Sequence, residues 1–426
     1  MHRVERLVYD MVKSNAQLKM RVRDAYQLVC DLIPVSRNRT AYPLDVREGY
    51  FFGFHDKCPW SADGRNLLAH RYLIPLRMPQ ADDLLEVGYF DEFDGKVFHS
   101  VSRTRAWNWH QGAQLQWLGD GERIVFNDFD GEKHVTRVVG LDGALDRILP
   151  RPVAALAPDG SYALSYSFAR LRGTPFGYAY ANGVDEEADK RIPQMDGLWL
   201  MDTVRGNAQR LFTVAEVARL MPEPSMEGAF HYFSHCQFSP AGRRFKFFHR
   251  WTVNSNRQWT RMLSADVDGG HLHIFPTSGM VSHVAWRTDK LIVAYASTVE
   301  HGDAYYEFRD CTNEFRVIGR GVLCSDGHPE FSRDGNWMLT DTYADRFRRR
   351  FLVLYDIQQN KRHDLAMLYS PKEFAGVSIA DHLQCDLHPR WNRSDKQVCF
   401  DSAHTGSRAL CVMTVEGLAV GRPRAP

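Results

Sequence analysis

Short apolar stretches and polar two-residue corners follow one another in a fixed frame over most of the chain. In each copy of the frame, an apolar strand meets a polar or Gly-containing turn of the hairpin type and is followed by a second strand. Aligning the copies on one apolar position gives seven of them. Their anchor residues are Trp60, Trp117, Leu156, Phe238, Trp286, Phe331 and Trp391.

A second hairpin follows most copies, as in "LLEVGYFDEFDGKVFHS" and "FLVLYDIQQNKRHDLA". Four strands per repeat make a propeller blade, and the spacing of the anchors suits such blades except after Leu156. We therefore predict an all-β fold, a seven-bladed β-propeller over residues 44–426 with an insertion in residues 157–230. A short N-terminal α-helical extension over residues 1–40 precedes it.

The extension contains the stretch "VERLVYDMVKSNAQLKMRVRDAYQLVCDLI", in which apolar residues recur at helical spacing. This pattern predicts one or two amphipathic helices, and the segment is basic. Two interpretations stay open. The helix packs on the propeller or on a partner subunit, or it lies on a membrane surface.

Composition narrows the class of protein. With 44% hydrophobic residues and a net charge of +1, the chain is globular and gives no argument for a nucleic-acid partner. No apolar run predicts a transmembrane segment or a secretory signal, and the eight cysteines form no CxxC pair. These features predict a cytoplasmic protein with reduced thiols.

Histidine occupies the position three residues before the anchor in four successive copies: His235, His283, His328 and His388. The first strand of a blade lines the central channel, so these side chains are expected at one mouth of it. One interpretation is a structural histidine that was copied with the repeat and caps a neighbouring blade. The other is a metal or catalytic site, with zinc or manganese held by His235, His328, Gln384 and His388.

The frame resembles the TolB-like propeller repeat, with its "PxWSPDG" consensus, as in "SHCQFSPAGRRFKFF" and "GHPEFSRDGNWMLTD". In addition, "HLQCDLHPRW" is similar to the metal-binding stretch of oligogalacturonate lyases, propellers whose ion is held by histidines and a glutamine. Arg390 stands where that family has a second histidine. The chain departs from the family at this position, and our hypothesis is that the charge of an arginine near the site does the electrostatic work of the ion.

Further stretches resemble the seven-bladed ulvan lyases, among them "GYFFGFHDKCPW", "AWNWHQGAQLQW" and "SYSFARLRGTPFGYAY". Both lyase resemblances imply an acidic polysaccharide or oligosaccharide that contains uronic acid. Its β-elimination needs a cation on the carboxylate, a base for the C5 proton and an acid for the leaving oxygen.

The resemblance to ulvan lyases implies roles for particular residues. It implies Tyr178 as base or acid, with Tyr166 or Tyr180 as alternatives, and Arg191 on the carboxylate. The partners of the tyrosine would be His110 and His249. The residues expected to line the cleft are Tyr232, His70, Arg250, Arg390 and Trp109.

Two other classes of function stay open. A non-catalytic propeller would bind a glycan or a protein, with the N-terminal helix as its contact to a partner or a second subunit. Hydrolysis would need paired carboxylates. The candidates Asp56, Asp128, Asp341 and Asp401 fall at strand ends, where aspartate commonly accepts hydrogen bonds from turn amides.

Overall fold

The structure of the protein, a computed structural model, describes residues 16–30, 32–33, 37–92, 96–119, 121–174, 177–254, 257–374 and 383–415. Within these residues the strands form seven antiparallel sheets, six with four strands and one with five. The predicted seven-bladed β-propeller is confirmed.

The blades are numbered in chain order. Blade 1 contains β3 (Tyr50–Phe51), β4 (Asn66–Tyr72), β5 (Leu85–Asp91) and β6 (Phe98–Thr104). Blade 2 contains β7 (Gln116–Leu118), β8 (Arg123–Phe129), β9 (His134–Gly140) and β10 (Leu145–Leu149). Blade 3 contains β11 (Ala155–Leu156), β12 (Tyr162–Ser165), β13 (Gly197–Asp202) and β14 (Ala208–Thr213).

Blade 4 contains β15 (Phe230–Phe238), β16 (Arg244–Asn254), β17 (Arg257–Asp266) and β18 (His273–Ile274). Blade 5 contains β19 (Val281–Thr288), β20 (Leu291–Thr298), β21 (Gly302–Arg309) and β22 (Phe315–Ile318). Blade 6 contains β23 (Glu330–Phe331), β24 (Trp337–Asp341), β25 (Arg349–Asp356), β26 (Lys361–Tyr369) and, at its outer edge, β1 (Arg39–Thr40). Blade 7 contains β27 (Arg390–Trp391), β28 (Gln397–Ser402), β29 (Ala409–Thr414) and β2 (Leu44–Glu48).

The repeated turn explains why the sequence frame is so regular. In blade 1 the Ser61 hydroxyl donates to Asp63 Oδ1 at 2.6 Å, and the same carboxylate oxygen accepts from Arg65 N at 3.0 Å. Gly64 follows with a φ of 74°, a conformation that glycine adopts without steric cost. The anchors that precede the turn in blades 1 and 7, Trp60 and Trp391, are buried. Turn chemistry and core packing therefore specify the same register.

A strand from near the start of the chain completes the last blade. β2 pairs antiparallel with β29, from Leu44 opposite Met413 to Glu48 opposite Ala409. The ring of blades is therefore closed by main-chain hydrogen bonds between distant parts of the sequence, which cover the edge of β29.

The extension and the insertion contain the two α-helices among the described residues, α1 (Ala16–Cys30) and α2 (Val214–Arg219). α1 contacts blade 6 through Gln27, whose side-chain amide donates to the carbonyl of Asp345 at 3.1 Å. The first part of the predicted helical segment, residues 1–15, lies outside the described residues. No helix in the described part of the chain is long and apolar enough to cross a membrane.

Most of the insertion lies between β12 and β13. Arg170, in a short 3₁₀ helix (Arg170–Gly173), is buried and donates to the carbonyls of His231 at 2.8 Å and Lys190 at 2.9 Å. Farther along the loop, the Tyr180 hydroxyl accepts a hydrogen bond from Asn127 Nδ2 at 2.9 Å. These contacts fix the insertion, which carries Tyr178, against blades 2 and 4.

Candidate functional site

Six histidines surround the ring of Phe54 at the centre of the propeller, and we call them the histidine cluster. Phe54 is 5% exposed, and its centroid lies between 4.6 and 6.3 Å from all six imidazoles. The members are His55, His110, His235, His283, His328 and His388. All six are buried, so the structure brings the four histidines of the repeat together with two from other segments.

The backbone is strained where two of these histidines enter the cluster. His235 has a φ of 55° and His388 a φ of 44°, in the left-handed region that only glycine adopts freely. The equivalent residue of blade 2, Gln114, has a φ of 57°. Such strain costs about 1–3 kcal/mol per residue and is concentrated at functional sites.

Four side chains of the site have the geometry of a metal-binding group. His110, His328, Asp386 and His388 each offer one ligand atom, and these atoms lie within 4.8 Å of one another. The ring centroids of His328 and His388 are 4.2 Å apart, and those of His110 and His388 are 4.6 Å apart. We call these residues the four-residue group.

A second carboxylate orients two members of the group. Asp341 Oδ1 lies 2.7 Å from His328 Nδ1 and accepts a hydrogen bond from His328 N at 2.8 Å, while Asp341 Oδ2 accepts from His388 N at 3.1 Å. Burial lowers the pKa of His328, but the carboxylates of Asp341, Asp386 and Asp326 together outweigh burial and raise it. The bond to Asp341 leaves Nε2 of His328 as the ligand atom, and this is how second-shell carboxylates orient metal-binding histidines.

The metal-facing nitrogens of His328 and His388 indicate that a bound group is missing. Both Nε2 atoms are buried, and neither has a hydrogen-bond partner among the described residues. Orphaned buried polar atoms are rare in folded proteins and call for an unseen ion, water or ligand. Two imidazole nitrogens beside a carboxylate suit manganese or zinc.

Asp386 supplies the negative charge of the group. It forms a buried ion pair with Arg350 and accepts a hydrogen bond from Gln384 Nε2 at 2.9 Å. Burial alone would raise the pKa of Asp386, but the Arg350 guanidinium and the nearby imidazoles lower it well below its usual range. The carboxylate is therefore ionised, as a metal ligand must be.

A tight loop holds His110 next to Tyr178. The side-chain oxygen of Asn108 accepts from His110 N at 3.0 Å and from Gln111 N at 2.7 Å, and its amide donates to the carbonyl of Tyr178 at 2.9 Å. The rings of His110 and Tyr178 lie 5.0 Å apart, and Tyr178 is also 5.1 Å from His235. Burial raises the pKa of Tyr178 to about 12, so its hydroxyl carries a proton at neutral pH.

His283 forms a second carboxylate–imidazole pair beside the group. Its Nδ1 lies 3.0 Å from Asp326 Oδ1, and Asp326 also accepts hydrogen bonds from Ser282 Oγ at 2.6 Å and Gly327 N at 2.8 Å. The rings of His283 and His328 are only 3.9 Å apart. When the Nδ1–H of His283 donates a hydrogen bond to Asp326, the Nε2 atom of His283 carries no proton and can accept one.

Arg250 is the cation on the Tyr178 side of the site. It is 5% exposed, and its guanidinium lies 4.9 Å from the centroid of Phe248. The positive charge of Arg250 lowers the pKa of Tyr178 and Tyr232, against the effect of burial on both tyrosines. It also lowers the pKa of His235. Arg250 Nε has no hydrogen-bond partner among the described residues, so a donor is free on this side.

Arg191 does not reach the site. Its side chain is exposed, and its backbone carbonyl is what the fold uses, as the acceptor for His231 N at 2.9 Å. No described contact joins this side chain to the histidine cluster, and its predicted contact with the substrate carboxylate stays a prediction.

His249 belongs to a separate network in blade 4. Its Nδ1 accepts from Arg261 Nε at 3.0 Å, and its Nε2 lies 2.9 Å from His231 Nδ1. Arg261 also donates to the carbonyl of Val217 in α2 at 2.6 Å. Burial and the Arg261 charge hold the pKa of His249 well below its usual value. Both ring nitrogens of His249 thus have partners within the fold, and its predicted catalytic role stays a prediction.

Three residues expected to line the cleft are buried in contacts within the fold, and their role at the cleft stays a prediction. Arg390 is fully buried, donates to the carbonyls of His388 at 2.7 Å and Gly53 at 3.1 Å, and pairs with Asp401. Trp109 is 1% exposed and donates from Nε1 to the carbonyl of Arg77 at 2.7 Å. His70 is fully buried and accepts from Ala113 N at 3.1 Å.

The other predicted residues lie around the group. Tyr232 is buried in the same apolar cluster as Tyr178, and its hydroxyl donates to Gln258. His235 lies in the histidine cluster but outside the four-residue group. Gln384 donates to Asp386 and so lies next to the group, and its predicted role as a metal ligand stays a prediction.

Sequence reasoning missed several residues of the site: Phe54, His55, Asp326, Tyr343, Arg350 and Asp386. Asp386 lies two residues before His388, in the stretch already singled out, and it could have been found there. Arg350 lies in the basic run "RFRRR", whose composition is typical of an exposed loop and hides the arginine that pairs with Asp386.

Comparisons with known proteins show the same fold. No family model and no curated protein matches the chain. The solved structure of an oligogalacturonate lyase in complex with manganese is similar, with a TM-score of 0.60 at 14% identity, over 90% of this chain and 98% of that one. Oligogalacturonate lyase from Vibrio parahaemolyticus has a TM-score of 0.56 at 12% identity, over 90% of this chain and 99% of that one. TolB from Acinetobacter baumannii has a TM-score of 0.39 at 11% identity, over 83% of this chain and 81% of that one. The predicted likeness to ulvan lyases stays a prediction.

Proposed function

We propose that the protein is a polysaccharide or oligosaccharide lyase that cleaves a uronate-containing chain by β-elimination in the histidine cluster. The observation that carries the proposal is the four-residue group, with two orphaned imidazole nitrogens beside an ionised carboxylate, inside a propeller. The oligogalacturonate lyase solved with manganese has a similar fold and supports the same class of chemistry.

The four-residue group would hold a divalent metal ion, manganese or zinc. A bound ion would polarise the carboxylate of the substrate, and the C5 proton becomes removable only when that negative charge is neutralised. The protein brings its own cation to the same task, because the buried Arg250 has a free donor near Tyr178.

The proton transfers can be assigned to described side chains. His283, oriented by Asp326, accepts the C5 proton at Nε2. The C5–H electrons form the C4=C5 double bond and the C4–O bond breaks. Tyr178 is protonated at neutral pH because burial raises its pKa to about 12, and it donates its proton to the leaving oxygen. His283 takes up one proton and Tyr178 releases one, so the step balances.

The test measures the ultraviolet absorbance of the unsaturated product on uronate polymers and oligomers. The variants are Tyr178→Phe, His283→Gln and Arg250→Gln, with the exposed Arg191→Ala as matched control. We expect each of the three to lose at least about 10²-fold in kcat/KM and Arg191→Ala to keep full activity. Removal of metal with a chelator should abolish turnover, and addition of Mn²⁺ or Zn²⁺ should restore it.

Two results would contradict the proposal. Full activity in Tyr178→Phe and His283→Gln would remove both from the chemistry. Glycan binding by the wild-type protein without any unsaturated product would favour the non-catalytic propeller instead.

A further inference from the structure

Tyr343 lies at the edge of the histidine cluster with part of its ring uncovered. Its centroid is 5.9 Å from that of His328 and 6.1 Å from that of His283, and the residue is 39% exposed. The other tyrosines near the site, Tyr178 and Tyr232, are 9% and 2% exposed. Among the aromatic residues described around the site, Tyr343 is therefore the one that offers a ring face to a ligand.

The Tyr343 side chain borders the charged groups of the site. Burial raises the pKa of Tyr343 well above its usual value, and the carboxylates of Asp326 and Asp386 raise it further. The hydroxyl of Tyr343 is therefore neutral at this edge of the site.

The backbone beside Tyr343 is fixed. Thr342 N donates to the carbonyl of Phe351 at 3.0 Å, and the Thr342 hydroxyl accepts from Phe351 N at 3.1 Å. One residue earlier, Asp341 is held by its bonds to His328 and His388. An exposed aromatic ring on a rigid support loses little conformational entropy when it binds a ligand.

We propose that Tyr343 is a substrate-binding residue on which the reacting sugar ring stacks above His283 and His328. This inference rests on the proposed function and names how the site would recognise its substrate. A pyranose presents a face of C–H groups, and an aromatic ring next to polar groups is a surface that contacts such a face while the polar edge of the sugar bonds elsewhere. The side chain thereby orients C5 of the uronate toward His283.

The test compares Tyr343→Ala and Tyr343→Phe with wild type, in calorimetric titration with uronate oligosaccharides and in steady-state kinetics. Tyr343→Ala removes the ring and should weaken binding and raise KM about tenfold, whereas Tyr343→Phe keeps the ring and should recover most of that loss. Tyr162→Ala is the matched control, because Tyr162 is also exposed, at 37%, but lies in β12 of blade 3. Mn²⁺ affinity should be the same in all four proteins.

Two outcomes would overturn the inference. Unchanged oligosaccharide affinity in Tyr343→Ala would show that no sugar stacks there, whether or not the protein is a lyase. Equal loss of kcat in Tyr343→Phe and Tyr343→Ala would assign the role to the hydroxyl instead of the ring. If the wild-type protein binds oligosaccharide without turning it over, the proposed lyase activity fails, but the effect of Tyr343→Ala on affinity still decides the stacking.

Discussion

Asp341 and His328 are joined twice through one carboxylate oxygen. Asp341 Oδ1 accepts from the backbone N of His328 and lies 2.7 Å from its Nδ1, while the other oxygen accepts from the backbone of His388. This one side chain therefore sets the ring orientation of one candidate ligand and the backbone position of another.

Asp341→Asn should weaken metal binding about 10- to 100-fold, the usual cost of losing a second-shell carboxylate. Asparagine replaces one carboxylate oxygen by an NH₂ group. In either orientation of the amide, this NH₂ faces the backbone N–H of His328 or of His388, so that two hydrogen-bond donors meet. Titration calorimetry with Mn²⁺ and Zn²⁺ on chelator-treated protein measures the effect. The control is Asp356→Asn in the same blade, whose carboxylate accepts from the turn amides Gln358 N and Gln359 N, both at 3.0 Å. Equal metal affinity in both variants would refute the role of Asp341.

Arg350→Met should destabilise the fold by about 3–5 kcal/mol, because it leaves the buried Asp386 charge without its partner. Adding Asp386→Asn to the variant should recover part of that loss. The neighbouring Arg349→Met is the control, since the half-buried pair between Arg349 and Asp345 is worth at most about 1 kcal/mol. Urea unfolding at constant m-value compares the three. Similar losses at Arg349 and Arg350 would contradict the prediction.

Gly112→Ala should disrupt the loop that carries His110. A Cβ at Gly112 would lie 2.2 Å from His70 Cε1, and the residue has a φ of 59°. Gly64→Ala separates the two effects, because Gly64 also has positive φ, at 74°, but a Cβ there meets nothing within 4 Å. We expect about 1 kcal/mol of destabilisation at Gly64, clearly more at Gly112, and weaker Mn²⁺ binding only at Gly112. Equal effects at both positions in urea unfolding would argue against the clash.

His70 should make the fold sensitive to acid. Burial lowers the pKa of His70 to about 3, from its ordinary value of 6.5, and Nε2 accepts from Ala113 N. Between these values the unfolded chain binds a proton that the folded protein does not. The contribution to stability is therefore complete above pH 6.5 and decreases toward pH 3.

The measurable change is about 2 kcal/mol of unfolding free energy between pH 7 and pH 5, from a slope near 1.4 kcal/mol per pH unit. His70→Gln should be less stable than wild type at pH 7 but should lose less stability over that interval. His99→Gln, at an exposed position of β6, is the control and should keep the wild-type slope. An identical slope in His70→Gln would show that another group causes the acid sensitivity.

The fold could be predicted from local patterns because each blade repeats the same turn and the same buried anchor. His328 and His388 could also be predicted, since equivalent positions of repeated blades meet at the channel. His55 could not, because Gly53, with a φ of 109°, redirects the entry to blade 1 and shifts its histidine by two positions. Spacing within one blade carries no information on such an offset.

Charged residues were harder to place for a different reason. Three arginines in polar surroundings of the sequence have different roles in the structure. Arg191 is exposed, Arg350 pairs with Asp386, and Arg390 supports the backbone of blade 7. Their roles depend on carboxylates and carbonyls that lie far away in the chain. Asp401, for example, accepts from Phe52 N and Gly53 N across almost the whole sequence.

The pairing of β2 with β29 has a consequence for biosynthesis. Leu44–Glu48 leaves the ribosome early, but its partner Ala409–Thr414 is made only after the other blades have been translated. Until then β2 is an unpaired strand, which is a hazard for association between nascent chains. Its charged residues Asp45, Arg47 and Glu48 give the waiting strand some protection, since charge on an exposed edge opposes such association.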